Sequence, residues 1–122
     1  MEDVFEDALK NGEFQLWYQP KVDPVTGNIL GAEALIRWKR PDGTMLSPGK
    51  FIPLFEKNGN ITTLDEYVFR TVCAQQQRWL QAGAKLYPIS VNISRVSLYY
   101  NNVVDKYREI LNLSSWIRNM FR

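Results

Sequence analysis

Glu33 stands inside an apolar stretch, Ile29-Leu30-Gly31-Ala32-Glu33-Ala34-Leu35-Ile36. A carboxylate taken out of water costs several kcal/mol unless it is paired or bound to a metal. Two arrangements satisfy it here: a structural ion pair with some Arg or Lys, or a metal ion. Arg37 follows on the same strand face, about 13 Å further along at roughly 3.3 Å per residue. That spacing suits a carboxylate–metal centre and a phosphate-binding guanidinium at two points along one extended ligand. Asn92 sits near the C-terminal end of a second apolar stretch, Tyr87-Pro88-Ile89-Ser90-Val91-Asn92-Ile93. Its amide carbonyl is a hard oxygen donor suited to Mg²⁺ or Ca²⁺, and in parallel barrels that strand end faces the active site. A turn-forming Asn at a strand end is the other reading. Histidine is absent, which removes Ser-His-Asp and Cys-His catalysis and every zinc site that needs imidazole.

The elements that must position these groups can be read from pattern. Residues 2–11 predict a short helix with Val4, Phe5, Ala8 and Leu9 on one face, stopped by Asn11-Gly12. Residues 14–19 predict an aromatic-rich strand whose regular pairing ends at Pro20. Asp23 to Asn28 is a turn, residues 29–38 a second strand, and Pro41-Asp42-Gly43 another turn. On strand 29–38, Gly31, Glu33, Leu35 and Arg37 share one face, and Ala32, Ala34, Ile36 and Trp38 the other. Ser47 as N-cap and Pro48 at the first helical position open a helix that stops near Asn58-Gly59. A longer helix is expected from a capping box of Thr63 and Glu66 to about Ala82-Gly83. Residues 87–93 predict a third principal strand and 101–112 a further helix. Strands alternating with helices point to an α/β fold with a parallel sheet.

Composition sets the bounds. The chain has 122 residues, 45% hydrophobic and 23% charged, with four Trp, six Tyr and six Phe. One globular domain of this size buries over ~60% of its unfolded surface. Fifteen basic and thirteen acidic residues give a net charge of +2, which argues against a partner that is a nucleic-acid polymer. The single cysteine, Cys73, forms no internal disulfide, so a reducing compartment is expected. No apolar run approaches the ~20 residues of a membrane span. The acidic start Glu2, Asp3, Glu6 and Asp7 is unlike a signal peptide. These features predict a cytoplasmic protein.

The ordered motifs are more specific. Tyr18-Gln19-Pro20-Lys21-Val22-Asp23, Thr26-Gly27 and Gly31-Ala32-Glu33-Ala34-Leu35-Ile36-Arg37-Trp38 resemble the start of an EAL domain. These bacterial phosphodiesterases hydrolyse cyclic di-GMP. Arg40-Pro41-Asp42-Gly43, Leu46-Ser47-Pro48 with Phe51-Ile52-Pro53-Leu54, Leu64-Asp65-Glu66-Tyr67-Val68 and Ser90-Val91-Asn92-Ile93-Ser94 continue the likeness in order. The resemblance implies a (β/α)8 TIM-like barrel, of which this chain holds the first three to four strand–helix units. It implies a two-metal site, Mg²⁺ or Mn²⁺, with Glu33 and Asn92 as ligands. It further implies that Arg37 contacts a phosphate, that Gln19 contacts the ligand, and that Leu35 and Pro48 line its pocket. Two-metal chemistry runs on carboxylate and amide oxygens and needs no histidine.

A complete barrel takes about 250 residues. The family's later motifs, including a Glu on the next strand and an Asp-Asp pair, are absent, and no acid follows Glu109. Residues 1–112 are therefore read as the N-terminal half of an EAL domain, and 113–122 as a tail unlike the family's continuation. A shifted reading frame or early stop gives such a tail. An amphipathic peptide of Trp116, Ile117, Met120 and Phe121 with Arg118 and Arg122 is the other reading. The expected function is that of a fragment of a phosphodiesterase that converts cyclic di-GMP to linear pGpG, inactive in this short form. The alternative is a non-catalytic cyclic di-GMP-binding or protein-interaction module. Unpaired strand edges predict a homodimer or other self-association.

Overall fold

Alternation along the first two strands decides which way the sheet faces. Phe14, Leu16 and Tyr18 point to one side of β1 (Phe14–Val22), and Ala34, Ile36 and Trp38 to the same side of β2 (Ile29–Lys39). The helices cover this side. The computed structural model describes residues 2–99, 105 and 107–109. Its remaining elements are α1 (Glu2–Lys10), β3 (Met45–Leu46), α2 (Pro48–Asn58), α3 (Asn60–Gln81), β4 (Ile89–Val91) and α4 (Arg95–Leu98).

The sheet is mixed, which corrects the expectation of a parallel one. β1 and β2 pair antiparallel along their whole lengths, from Phe14 opposite Trp38 to Val22 opposite Ile29. The turn between them is too short for the crossover that parallel neighbours require. On its other edge β2 pairs antiparallel with β3 at Trp38 and Lys39, and parallel with β4 from Ala32 to Ala34. Pro20 does not end β1 either: it lies opposite Ala32 inside the ladder. Among the described residues β1 pairs only with β2, and proline is tolerated on an edge strand.

Two helix boundaries also differ from expectation. α3 starts at Asn60, so Thr63 and Glu66 lie within the helix and form no capping box. Gly59, at φ 87°, both ends α2 and opens α3, a backbone conformation that glycine adopts freely. The third principal strand is shorter than residues 87–93. Ser94 caps α4 by accepting a hydrogen bond from the Val96 amide at 3.2 Å. Residues 105 and 107–109 are helical. The rest of the helix expected over 101–112, and the tail 113–122, lie outside the described residues.

The core is aromatic. Phe5, Phe14, Trp38, Phe51 and Phe55 join Ala8, Ile61 and Leu64 in one buried cluster. Phe14 and Trp38 rings lie 4.9 Å apart, and Trp38 meets Phe51 edge to face at 5.7 Å. The indole N–H of Trp38 donates to Glu13 Oε1 at 2.9 Å, so its one polar group is satisfied. A smaller cluster of Ala34, Val68 and Val72 seats α3 under the middle of β2. Cys73 on α3 is buried as well, and burial pushes its thiol up.

Gly31 fixes how closely β4 approaches. A Cβ there would lie 2.6 Å from the carbonyl oxygen of Pro88, and that oxygen accepts the Ala32 amide at 3.0 Å. Gly31→Ala is expected to destabilise the fold by about 1–3 kcal/mol, the usual cost of overpacking. The checks are the urea midpoint and faster amide exchange at Ala32. An unchanged midpoint would show that the two strands yield without loss.

Candidate functional site

The face of the sheet turned away from the helices carries the candidate polar groups. Gln19 on β1 lies opposite Glu33 on β2, and Glu33 lies opposite Ser90 on β4. Asn92 follows directly after β4 and donates from Nδ2 to Glu33 Oε2 at 3.2 Å. Lys21 Nζ stands 3.1 Å from the other carboxylate oxygen, Oε1. The Asn92 hydrogen bond, then the Lys21 ammonium, hold the Glu33 carboxyl below its ordinary range. Of the two readings of Glu33 the ion pair is present, with Lys21, and Asn92 stands beside it with its amide nitrogen turned to the carboxylate.

Arg37 lies further along the same face. Its guanidinium sits over the Trp17 ring, 5.5 Å from the centroid, and donates to the Ile36 carbonyl at 2.8 Å. Trp17 is 51% exposed, opposite Leu35 in the register. Guanidinium stacking of this kind holds the group flat and leaves its remaining N–H donors for a ligand.

A cleft of about 200 Å³ opens beside this face. Its position follows from the pairing of β2: β4 covers Ala32 to Ala34 and β3 covers Trp38 and Lys39. Between them this edge of β2 has no strand partner among the described residues. Leu35, Pro48 and Asn92 line the cleft, with Ile61 and Leu64 of α3 among its walls. Gln19, Glu33 and Arg37 are not among its lining residues. The structure therefore brings Gln19, Glu33 and Asn92 together on the face, joins Leu35, Pro48 and Asn92 in the cleft, and sets Arg37 apart from both groups.

Residues not singled out from sequence complete the arrangement. Asp65, buried in α3, accepts from the Ser94 amide at 2.9 Å and the Ser97 hydroxyl at 2.6 Å. Glu56 of α2 accepts from the Ser94 hydroxyl at 2.8 Å. These bonds fix the turn that follows Asn92. Burial pushes the Asp65 carboxyl up, the Ser97 and Ser94 bonds oppose that, and the Glu56 charge reinforces it. Lys21 could have been found from its spacing, since it is two residues beyond Gln19 and shares its face. Asp65 gave no such signal, because its partners are distant in sequence.

Glu33 and Asn92 offer hard oxygen donors of the kind a divalent cation takes. Among the described residues no group of three His, Cys, Asp or Glu side chains could hold a metal. Among them, too, no helix is long and apolar enough to cross a membrane.

Helices on one side of a mixed sheet, with acid, amide and guanidinium groups on the other, define an α/β domain whose chemistry lies on strands. The particular family is plain from comparison. The EAL domain family model matches residues 2–119, and the chain belongs to that family. It is 38% identical over 104 residues to the bifunctional diguanylate cyclase/cyclic di-GMP phosphodiesterase MucR of Pseudomonas aeruginosa, covering 85% of this chain and 15% of that protein. It is 34% identical over 111 residues to the cyclic di-GMP phosphodiesterase NbdA of the same organism, covering 91% of this chain and 14% of that one. The solved MucR phosphodiesterase in complex with cyclic di-GMP superposes with a TM-score of 0.84 at 36% identity, covering 93% of this chain and 46% of that structure. The fold is accordingly part of the TIM-like barrel of EAL domains. The chain spans about half of that solved domain and a smaller share of the whole relatives.

Proposed function

We propose that this chain supplies the first part of the cyclic di-GMP site of an EAL-type phosphodiesterase. One observation carries the reading: Gln19, Glu33 and Asn92, from three different strands or strand ends, meet on the sheet face that is turned away from the helices among the described residues. In this reading Glu33 and Asn92 hold a divalent metal, Mg²⁺ or Mn²⁺, which when bound activates water and steadies the charge on the phosphodiester. Arg37 takes a phosphate through the N–H groups left free by its stacking on Trp17. Gln19 contacts the dinucleotide, and Leu35 and Pro48 form the apolar wall beside it. The match to phosphodiesterase relatives supports the substrate class.

Two donors do not fix a two-metal geometry. The 122-residue chain alone is expected to show no hydrolysis of cyclic di-GMP with Mg²⁺ or Mn²⁺. Residues 1–111 joined to the second half of the EAL domain of a relative are expected to form linear pGpG under the same conditions. Chromatography of the nucleotide products checks both. Turnover by the purified short chain would contradict the donor count, and a folded chimera without turnover would contradict the function.

A further inference from the structure

Trp17 enters the reading just given only as the support of Arg37, and the Tyr18–Asp23 motif begins one residue after it. Tryptophan is highly buried on average, yet Trp17 is 51% exposed. Alternation puts it on the same face as Gln19, roughly 7 Å away along β1. It lies opposite Leu35, while Gln19 lies opposite Glu33. The order along the face is therefore Arg37, then Trp17 with Leu35, then Gln19 with Glu33. The Arg37 guanidinium sits over the indole, 5.5 Å from the ring centroid. Among the described residues no second aromatic ring packs on Trp17 and its indole N–H makes no hydrogen bond. A half-open flat ring thus stands directly beside the guanidinium and between it and the other polar groups. In a nucleotide, base and phosphate are joined through one sugar, so a surface for the base must lie within one sugar's reach of the group that takes the phosphate.

We propose that Trp17 is itself a binding residue: its indole, with Leu35 beside it, is the platform on which one base of the cyclic dinucleotide stacks, next to the phosphate taken by Arg37. The inference rests on the reading of the ligand as cyclic di-GMP. It involves no metal, because Trp17, Leu35 and Arg37 are all side chains of this chain. Stacking on an aromatic ring suits any base, since every base has a π-face. The platform therefore supplies affinity and placement rather than a choice between bases. It also accounts for the exposure of so large an apolar ring on an otherwise polar face: the base covers it when the ligand is bound. The guanidinium against the indole adds a cation–π contact to the same stack.

The test is an NMR titration of the isotope-labelled 122-residue chain in metal-free buffer. Three probes are used: cyclic di-GMP, guanosine monophosphate with base and phosphate, and ribose phosphate with the phosphate alone. The Trp17 indole N–H signal, assigned by its loss in Trp17→Phe, is expected to shift with the two nucleotides. Trp17→Leu is expected to weaken guanosine monophosphate about ten- to hundredfold, the size of one base–aromatic stack. It is expected to weaken ribose phosphate only about two- to fivefold, the share of the guanidinium contact. Trp17→Phe keeps a flat ring and is expected to stay close to the parent with every probe. Amide spectra verify that each variant is folded. Equal weakening of both monophosphate probes by folded Trp17→Leu would overturn the platform, because Trp17 would then only hold Arg37. An unmoved Trp17 indole while cyclic di-GMP shifts the Gln19 and Leu35 amides would overturn it too, and would leave the underlying reading standing. Failure of that reading looks different: cyclic di-GMP would shift none of Gln19, Leu35, Arg37 and Trp17, and the platform would fall with it.

Discussion

Glu33→Ala in the completed chimeric barrel is expected to lower metal-dependent hydrolysis of cyclic di-GMP by roughly 10³-fold or more. A metal ion supplies several kcal/mol of charge stabilisation in the transition state, and each ~1.4 kcal/mol is tenfold in rate. Alanine has no oxygen to offer, and it also leaves Lys21 and the Asn92 amide without their acceptor. Arg37→Ala is a contrasting case. Its loss is that of a hydrogen bond to a charged group, about 1.5–3 kcal/mol, and it should appear mainly in KM. Asn92→Ala should raise the metal concentration needed for half-maximal rate. Steady-state kinetics across a Mn²⁺ series separates the three. Equal and mild effects in a folded, active chimera would move the site away from these residues.

Phe14→Ala is expected to destabilise the chain by about 3–5 kcal/mol, the usual cost of truncating a buried phenylalanine. Phe14 is 2% exposed, and its ring meets those of Phe5, Trp38, Phe51 and Phe55 at 4.9 to 6.0 Å. It is the point where α1, β1, β2 and α2 touch one another. A domain stabilised by about 5–15 kcal/mol loses a large share of that through one such cavity. Urea unfolding measures the loss. Val25→Ala is the control: Val25 is 91% exposed in the hairpin turn, and its replacement should stay within about 0.5 kcal/mol. Similar losses for the two would mean that the aromatic cluster does not carry the fold.

Much of this fold was legible because its signals are local. The face assignment of residues 29–38 rests on strand alternation, and Ala34 and Trp38, which share a face by that alternation, are both buried. Ser47-Pro48 opens a helix where expected, with Pro48 in its first turn, although the Ser47 side chain makes no capping hydrogen bond. The misreadings have separate causes. Pro20 stays in its strand because the ladder lies on only one side of β1. Thr63 and Glu66 lost their capping role because Gly59 lets α3 start a turn earlier. The direction of the first strand pair followed from the length of the 23–28 link rather than from the alternation of strands and helices. At the candidate site, Glu33 and Asn92 stood out by type and position. The contacts of Lys21 and Asp65 with them and their neighbours emerged only from the pairing of distant segments.

The two pairings of β2 differ greatly in reach. Its pairing with β1 closes through a short turn, whereas the Asn92–Glu33 contact spans 59 residues of chain. Near contacts form before far ones, because the entropy of closing a long loop must be met first. The β1–β2 hairpin is thus expected to form before β4 docks. β4 is also only three residues long, so local opening reaches it at low cost. The candidate site, which needs both pairings of β2, is therefore expected to assemble late and to open before the hairpin does. Its Asn92 arm is held in place by the acids of α2 and α3 that grip Ser94, more than by its own strand.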